Sequence, residues 1–516
     1  MLAKKIEFWY IEKMNVKTLQ AWFKQHIKDQ GRPYTLDKDQ AKIVLDCHKN
    51  TLVTARAGSG KTRTVVAKVV YLITHEKIPP KNIIIFAFNR KAKTEVNERL
   101  AQITFDGRPL FPGIPELATT FHAFAFRLLE SENNLVSEEV SDAKILRILE
   151  HIIGVPRKTS PERLLKLLTV AKQFIARAEQ QFFDDYSVLS AKIGALQPGK
   201  TRATLEILEK VMISYHEYLT AEGLINFNQL VARACGEIRA APYEYIFIDE
   251  YQDFSLLFLT LVKALRAACP SARLLAVGDD WQAINRFAGG NVEYFLNFKK
   301  YFPEDCARLF IPTNYRSGKK IVKNANYFMS AAISDFNGCK AGNKLKSAIF
   351  LGDVSKIQIP LPLRRGKKKE RLIFEQYRRA VSLIIEKNPG KSVKILSRNN
   401  ELSFMGLSEF CESLGKVPGL SFSTIHKSKG LEADVVILLE IDAGKFPGPD
   451  KSEGLYEIFG DNERTLLEDE HRLFYVALTR PKEKLYILMK STYIDKKARK
   501  YNFLSYLSED FLDPLF

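Results

Sequence analysis

The segment at residues 55–62 constrains this chain more than any other; it reads Ala-Arg-Ala-Gly-Ser-Gly-Lys-Thr. An apolar run at 51–54 precedes it and predicts a buried strand, and a stretch with helical character, 61–71, follows it. A strand, a glycine-rich turn and Lys-Thr at a helix start form an arrangement that cradles nucleotide phosphates, because backbone N–H groups close around the phosphate oxygens. The pattern therefore predicts a binding site for a nucleoside triphosphate.

Individual residues of this loop have distinct expected tasks. Lys61 adds a positive charge, and the hydroxyl of Thr62 is an expected ligand of Mg²⁺. Ala55 stands where the phosphate-loop pattern has its first glycine, a small departure. The residues expected to surround the phosphates are Ala57, Gly58, Ser59, Gly60, Lys61 and Thr62.

A second pattern carries chemistry downstream, where the apolar run 245–248 ends in the adjacent carboxylates Asp249 and Glu250. A buried strand that delivers two carboxylates at its carboxyl end suits metal-assisted phosphoryl transfer. We expect Asp249 to hold Mg²⁺, usually through water. We expect Glu250 to orient and deprotonate the attacking water.

The composition indicates what kind of partner the chain binds and argues against several classes of protein. The chain has 516 residues and a formal net charge of +18, from 78 Lys and Arg against 60 Asp and Glu. Such an excess favours a polyanion such as nucleic acid. The six cysteines are scattered without a CxxC pair, which argues against a disulfide framework and a zinc site. Without a signal-peptide core or a membrane-length apolar run, the expectation is a soluble, cytoplasmic protein.

Apolar runs with β-strand character alternate with helical stretches, which predicts an α/β fold with parallel sheets in two similar lobes. Residues 128–228 show helical periodicity and few strand signals, and are expected to form a helical insertion in the first lobe. The basic, proline-containing tract 356–371 predicts either an exposed hairpin or a linker. The predicted strands are 51–54, 83–88, 245–248 and 274–277, then 393–396, 421–425, 435–439 and 484–488.

Eight short motifs occur in the order found in the superfamily 1 UvrD/Rep-type DNA helicases, which the chain resembles over about residues 33–510. The match looks closest to the helicase IV branch, notably at 86–92, 277–284 and 424–434. The motifs are Gln40, 55–62, 120–122, 249–253, 277–282, 314–316, 424–432 and 470–480.

The resemblance implies two RecA-like lobes with ATP bound in the cleft between them. The expected division is an N-terminal extension at 1–32, a first lobe at 33–127 and 229–312, the helical insertion at 128–228, and a second lobe at 313–516. Only a short turn, 415–420, separates helix-like 401–414 from the motif near residue 424. The large regulatory insertion that some relatives carry at this point is therefore expected to be absent.

The resemblance also implies roles around ATP. Arg316 and Arg480 would each contact the γ-phosphate as arginine fingers, and Gln282 would sense that phosphate. Gln40 would read the adenine edge with its amide. The adenine ring would lie between Arg63 and Tyr315, and Glu432 would reach the ribose.

For DNA, the resemblance implies an aromatic platform on which bases stack. The matching residues are Phe88, Phe121, His122, Phe287 and His426. Alternatives stay open at four of them: Phe88 and Phe121 follow strand-like runs and could be core, and His122 and His426 could be structural histidines.

The leading hypothesis is an ATP-driven motor that moves 3′→5′ on single-stranded DNA and opens single-strand/duplex junctions. A second hypothesis is a translocase that displaces proteins such as RNA polymerase or a recombinase filament, with little unwinding. A third, a non-catalytic nucleic-acid-binding module, is disfavoured by the intact ATP residues. We expect ATP and Mg²⁺ as cofactors, a monomer, and a DNA-repair or transcription protein as a partner.

Overall fold

A computed structural model describes residues 14–129, 136–138, 142–153, 160–333, 337–359, 368–442, 446–448, 455, 457–490, 503–508, 510 and 512–515. The chain divides into two compact units. The first comprises the described residues up to Ala55, with Gly60–Asp280 and Asn285–Ile311. The second comprises Arg56–Ser59, Trp281–Ile284 and the described residues from Pro312 onward. The segments Arg56–Ser59 and Trp281–Ile284 thus belong to the second unit, although the residues before and after each of them in the chain belong to the first.

The first unit contains helices and strands in alternation. Its strands are β1 (Ile27–Asp29), β2 (Arg32–Pro33), β3 (Asn50–Ala55), β4 (Ile83–Ala87), β5 (Ile103–Phe105), β6 (Arg108–Pro109), β7 (Ala118–Thr120), β8 (Val136–Glu138), β9 (Leu224–Asn226), β10 (Tyr245–Ile248), β11 (Arg273–Gly278) and β12 (Cys306–Ile311). Its helices are α1 (Val16–His26), α2 (Lys38–Leu45), α3 (Lys61–Thr74), α4 (Arg90–Ala101), α5 (Phe121–Leu129), α6 (Asp142–Ile153), α7 (Pro161–Gln181), α8 (Tyr186–Gly194), α9 (Lys200–Ala221), α10 (Phe227–Glu237), α11 (Leu256–Ala268), α12 (Glu293–Leu296) and α13 (Phe298–Tyr301).

The main sheet of this unit has six parallel strands in the order β12-β3-β11-β10-β4-β7. Every residue of β3, β4 and β10 is buried, as expected where helices cover both faces of a parallel sheet. The four strands predicted in this half of the sequence are all present, which confirms the α/β class for this unit. Because neighbouring strands of this sheet are parallel, the loops that follow them open at the same carboxyl edge.

Smaller structures flank the main sheet. Two hairpins, β1-β2 and β5-β6, join through antiparallel β1 and β5 into a four-stranded sheet. Between α5 and β10 the described chain is mainly helical, from α6 to α10. The division into a first lobe with a separate helical insertion stays a prediction.

The second unit has its own parallel sheet of six strands, in the order β17-β16-β18-β19-β15-β20. This sheet confirms the second lobe of the predicted α/β fold. Residues 360–367 of the basic tract lie outside the described residues, and a helix follows from Lys368. The strands are β13 (Thr313–Asn314), β14 (Lys340–Ala341), β15 (Ala348–Asp353), β16 (Val393–Ser397), β17 (Leu420–Thr424), β18 (Ala433–Leu438), β19 (Pro481–Met489) and β20 (Leu512–Pro514). The helices are α14 (Lys319–Ala332), α15 (Lys368–Glu386), α16 (Leu407–Glu412) and α17 (Glu463–Leu478).

Each unit has its own apolar core. One cluster joins α1, α2 and α3 to the main sheet of the first unit. In the second unit, one cluster joins α14 and α17 to the sheet, and another joins α15 and α16 to it. Among the described residues, no helix is both long and apolar enough to cross a bilayer.

Candidate nucleotide and nucleic-acid sites

The carboxyl edge of the first sheet gathers the predicted chemistry of that unit. β3 leads into the phosphate loop, β10 ends immediately before Asp249, and β11 ends immediately before Asp279. These strands are neighbours in the order β3-β11-β10. Three polar segments that are distant in sequence therefore emerge side by side.

The turn before α3 has the backbone that a phosphate cradle needs. Gly60 is the N-cap of α3 and has a φ of +83°, in the left-handed region that favours glycine. A Cβ at Gly60 would lie 3.1 Å from Nε2 of Gln40, so a side chain there would also crowd the predicted adenine-reading amide. The helix begins at Lys61, and its first N–H groups point out of the helix end, where the dipole favours an anion.

Lys61 and Glu250 form an ion pair at this edge, with Nζ 2.9 Å from Oε1. Burial disfavours the charged ammonium, but the carboxylates of Glu250, Asp279 and Asp249 outweigh it and raise the pKa of Lys61. Lys61 therefore stays charged, and its ammonium lies against the carboxylates that the sequence predicts to be catalytic.

Glu250 adopts a backbone conformation that is rare for a residue with a side chain, with φ +54° and ψ +41°. Its N–H donates to Oδ1 of Asp249 at 2.9 Å. Left-handed backbone of this kind costs on the order of 1 kcal/mol and is found preferentially at functional sites. Burial and the neighbouring charge of Glu250 raise the pKa of the Asp249 carboxyl to about 6, because both disfavour its charged form.

Gln252 ties the two carboxylate segments together, a role that the sequence analysis did not assign to it. Its Nε2 donates to Oε2 of Glu250 at 2.5 Å, and its Oε1 accepts from the N–H of Asp279 at 2.9 Å. A Cβ at Gly278 would lie 2.4 Å from that same Oε1. Only the pairing of β10 with β11 brings these atoms together, so a linear motif could not reveal the contact.

The predicted adenine-contacting residues of the first unit are held by their neighbours. Oε1 of Gln40 accepts from the N–H of Asp37 at 3.2 Å and closes a capping box at the start of α2. The guanidinium of Arg63 lies 4.2 Å from the ring centroid of Tyr34, whose hydroxyl donates to the carbonyl of Arg63 at 2.6 Å. Tyr34 is a supporting residue that the sequence analysis missed.

In the second unit, Arg316 is held by a carboxylate. Its Nε lies 2.7 Å from Oε2 of Glu432, and Nζ of Lys482 lies 2.9 Å from Oε1 of the same residue. Burial favours the neutral acid, but Lys482 and Arg316 outweigh it and lower the pKa of Glu432. Tyr315 is 43% exposed, so part of its ring faces solvent.

Gln282 and Arg480 contact each other inside the second unit. Nη2 of Arg480 donates to Oε1 of Gln282 at 3.1 Å, and Nζ of Lys429 donates to the carbonyl of Gln282 at 2.8 Å. Nε of Arg480 donates to the carbonyl of Val476, one turn earlier in α17, at 2.8 Å. Two predicted γ-phosphate residues, far apart in sequence, are therefore direct neighbours.

Part of the phosphate loop packs on the Asn314–Arg316 segment within the second unit. Nδ2 of Asn314 donates to the carbonyl of Ala57, and the N–H of Tyr315 donates to the carbonyl of Gly58, each over 2.8 Å. Gly58 has a φ of +72°, and a Cβ there would lie 2.7 Å from Cβ of Arg316. Glycine is therefore required at position 58, both by the left-handed backbone conformation and by the lack of room for a side chain.

Phe121 lies in the core, which favours the alternative left open for it over contact with DNA. It is 2% exposed, and the rings of Phe86 and Phe258 stack near it with centroids 4.5 Å away in each case. Its aromatic surface is therefore used inside the fold, because it lies at the junction of β7 and α5 against α11. Phe88, directly after β4, is only partly buried.

The remaining residues of the predicted DNA platform differ in exposure. Phe287, in a short 3₁₀ turn, is 45% exposed. His122 packs edge-on against Phe227 and Phe258, and burial lowers its pKa to about 4. Burial and the cations Arg398 and Lys429 lower the pKa of His426 to about 4 as well. Both imidazoles are therefore neutral near pH 7.

Comparison with known proteins identifies the family to which the sequence is similar. Residues 36–303 match the model of the UvrD/REP helicase N-terminal domain, and residues 364–492 match that of the UvrD-like helicase C-terminal domain. DNA helicase IV of Escherichia coli is 27% identical over 497 residues, covering 88% of this chain and 68% of that protein. A probable DNA helicase of Mycoplasma pneumoniae is 26% identical, covering 88% of this chain and 83% of its own length.

A third relative, the ATP-dependent DNA helicase PcrA of Staphylococcus aureus, is 27% identical over 304 residues, covering 56% of this chain and 39% of its own length. The N-terminal model alone spans more than half of the chain, and its bounds include the phosphate loop and the Asp249-Glu250 pair. The chain therefore belongs to the UvrD/REP helicase family of ATP-hydrolysing enzymes.

Proposed function

We propose that this chain is an ATP-driven motor that moves 3′→5′ along single-stranded DNA and opens single-strand/duplex junctions. The observation that carries the proposal is the Lys61–Glu250 pair at 2.9 Å, beside the buried Asp249 and at the start of α3. A cation at a helix start next to a buried carboxylate pair suits phosphate binding and hydrolysis.

The chemistry follows from how this pair would change when ATP binds. A phosphate oxygen at the start of α3 would compete with Glu250 for Lys61, because both are anions within reach of one ammonium. Glu250, released from the ion pair but still held by Gln252, would then orient the attacking water and accept its proton.

Thr62 and Asp249 offer the hydroxyl and carboxylate oxygens that Mg²⁺ prefers. Mg²⁺ typically takes one or two protein ligands and completes its shell with water and substrate phosphate. Among the described residues, no group of three or more His, Cys, Asp or Glu side chains that could hold a metal ion is present. When bound, the ion would neutralise charge that develops on the phosphates.

The other nucleotide contacts are proposals from the matched motifs. We assign the γ-phosphate to Gln282, Arg316 and Arg480, the adenine to Gln40, Arg63 and Tyr315, and the ribose to Glu432. The loop residues Ala57, Gly58, Ser59 and Gly60 would surround the phosphates. The exposed Tyr315 ring and the Arg63–Tyr34 pair support the adenine assignment, because both offer flat surfaces suited to stacking.

For DNA, we propose that Phe287 is the principal stacking residue, assisted by Phe88, His122 and His426. Its exposure supports this choice, since a base needs an accessible ring face. The net charge of +18 supports a polyanionic partner. We also propose that the protein acts as a monomer, with a DNA-repair or transcription protein as its partner.

The testing experiment measures ATPase rate with and without single-stranded DNA, for the wild type, Lys61→Ala and Lys42→Ala. Lys42 is a matched control because it lies on the exposed surface of α2 and pairs only locally with Asp39, at 2.9 Å. We expect strong stimulation by DNA, lost in Lys61→Ala and kept in Lys42→Ala. Turnover that ignores DNA, or that survives in Lys61→Ala, would contradict the proposal.

Polarity is tested with partial duplexes that carry a 3′ or a 5′ single-stranded tail. The proposal requires strand displacement from the 3′-tailed substrate. DNA-stimulated ATPase without displacement from either substrate would instead favour a motor that displaces bound proteins.

A further inference from the structure

The phosphate loop contains a buried arginine at a position for which its motif specifies no residue type. Arg56 is the first of the four unconstrained residues in the loop pattern. It is 2% exposed, and burying a guanidinium is costly unless the surrounding groups compensate it. A small residue would satisfy the turn, so the buried charge calls for another explanation.

Two contacts of Arg56, with Trp281 and Asn337, lie within the second unit. Its guanidinium carbon is 3.7 Å from the ring centroid of Trp281, which has no exposed surface. Its Nε donates to the carbonyl of Asn337 at 2.9 Å. A cation over an indole face, removed from water, is among the stronger forms of cation–π contact.

Trp281 lies beside residues that are proposed to contact ATP. It immediately precedes Gln282 in the chain and shares a 3₁₀ turn with it. Its ring also meets that of Tyr475 edge-on, with centroids 5.2 Å apart. Tyr475 lies in α17, and Arg480, which donates to Gln282, follows two residues after the end of that helix.

We propose that Arg56 is a positioning residue that transmits the nucleotide state of the phosphate loop, through Trp281, to Gln282 and Arg480. The inference rests on the proposed function, since it assumes that the loop binds ATP and that Gln282 and Arg480 answer to its γ-phosphate. Arg56 and Trp281 each follow a segment of the first unit, at Ala55 and Asp280. Their contact therefore joins two of the places at which the chain passes from the first unit into the second.

The buried position of Trp281 makes the proposal directly measurable. The chain has three tryptophans, at positions 9, 22 and 281, so Trp9→Phe with Trp22→Phe leaves Trp281 as the single indole. We expect its emission to change when a non-hydrolysable ATP analogue binds. Arg56→Met, which keeps much of the side-chain length without the charge, should reduce that change severalfold, and Arg56→Lys should restore part of it.

Kinetics supply the second readout. In otherwise wild-type protein, we expect Arg56→Met to lower kcat of the DNA-stimulated ATPase about tenfold, while KM for ATP and ADP affinity by equilibrium dialysis stay within about twofold. Trp281→Leu should lower kcat similarly, and the double variant should be no worse than either single one, because both break one connection. Arg99→Met, on the exposed face of α4, is the matched control and should match the wild type.

The outcomes separate this inference from the proposed function. Whether DNA stimulates the ATPase of the wild type tests the proposed function alone. If the wild type is stimulated but Arg56→Met keeps its emission change and kcat, or loses kcat only in proportion to nucleotide affinity, the positioning role is wrong. Additive losses in the double variant would equally overturn it. A fall in melting temperature with kcat unchanged in Arg56→Lys and Arg56→Met would identify a purely structural residue.

Discussion

Lys61 and Glu250 lie 2.9 Å apart, Nζ to Oε1, although 188 residues of chain separate them. The pairing of β3, β11 and β10 brings them together, because the loops after adjacent parallel strands open at one edge. In this arrangement the proposed base and the proposed phosphate-binding cation neutralise each other. Nucleotide binding would therefore also prepare Glu250 for catalysis.

Glu250→Gln should bind nucleotide and hydrolyse it slowly. The amide keeps the shape and can still hydrogen-bond to Gln252, but it cannot accept a proton, so kcat should fall about 100-fold or more. Removing the charge beside Lys61 should leave ADP affinity equal or higher. Equilibrium dialysis and steady-state ATPase measure the two effects. A kcat within a few-fold of the wild type would show that another group is the base.

Gly58→Ala should disturb Arg316. The added Cβ would lie 2.7 Å from Cβ of Arg316 and 2.9 Å from Oδ1 of Asn314, at a φ of +72°. We expect the DNA-stimulated kcat to fall at least tenfold. Gly107→Ala is a matched control, since its φ is +77° but no atom lies within 4 Å of the added Cβ. Equal effects of the two substitutions would attribute the loss to backbone strain instead.

Phe287→Ala and Phe121→Ala should have opposite effects on DNA affinity and on the stability of the fold. Loss of an exposed stacking ring should weaken single-stranded DNA binding by about 1–3 kcal/mol and leave the melting temperature nearly unchanged. Loss of the buried Phe121 should destabilise the fold by about 3–5 kcal/mol. Fluorescence anisotropy with labelled DNA and thermal melting distinguish them. Unchanged DNA affinity in Phe287→Ala would remove that residue from the platform.

His122 should make stability depend on pH. Burial lowers its folded pKa to about 4, below the usual value of 6.5, so the unfolded state gains a proton first as pH falls. The free energy of unfolding therefore falls as the pH drops from about 6.5 to about 4, and at pH 5 it is up to about 2 kcal/mol lower than at pH 7.5.

His122→Gln isolates this contribution from the other histidines. Urea unfolding of the wild type and the variant at pH 7.5 and pH 5 is the measurement, and the variant should lose less stability than the wild type. Parallel losses in both proteins would show that His122 is accessible to protons in the folded state.

Local patterns in the sequence determined much of this protein. The glycine-rich loop, four strands of each six-stranded sheet and the Asp249-Glu250 pair follow from residue types at short spacing, because a buried parallel strand must be apolar and a phosphate loop must bend. Ordered motifs were sufficient to indicate the helicase family. The residues expected at the ATP site could therefore be named from the sequence.

Only the tertiary structure decided how those residues are supported and which aromatic rings are available. The stacking of Phe121 between Phe86 and Phe258, the bridge made by Gln252 and the burial of Arg56 over Trp281 all join segments that are distant in sequence. A linear pattern carries no information about such contacts, because strand order and packing set them. The same residue type, phenylalanine, is core at position 121 and exposed at 287 for that reason alone.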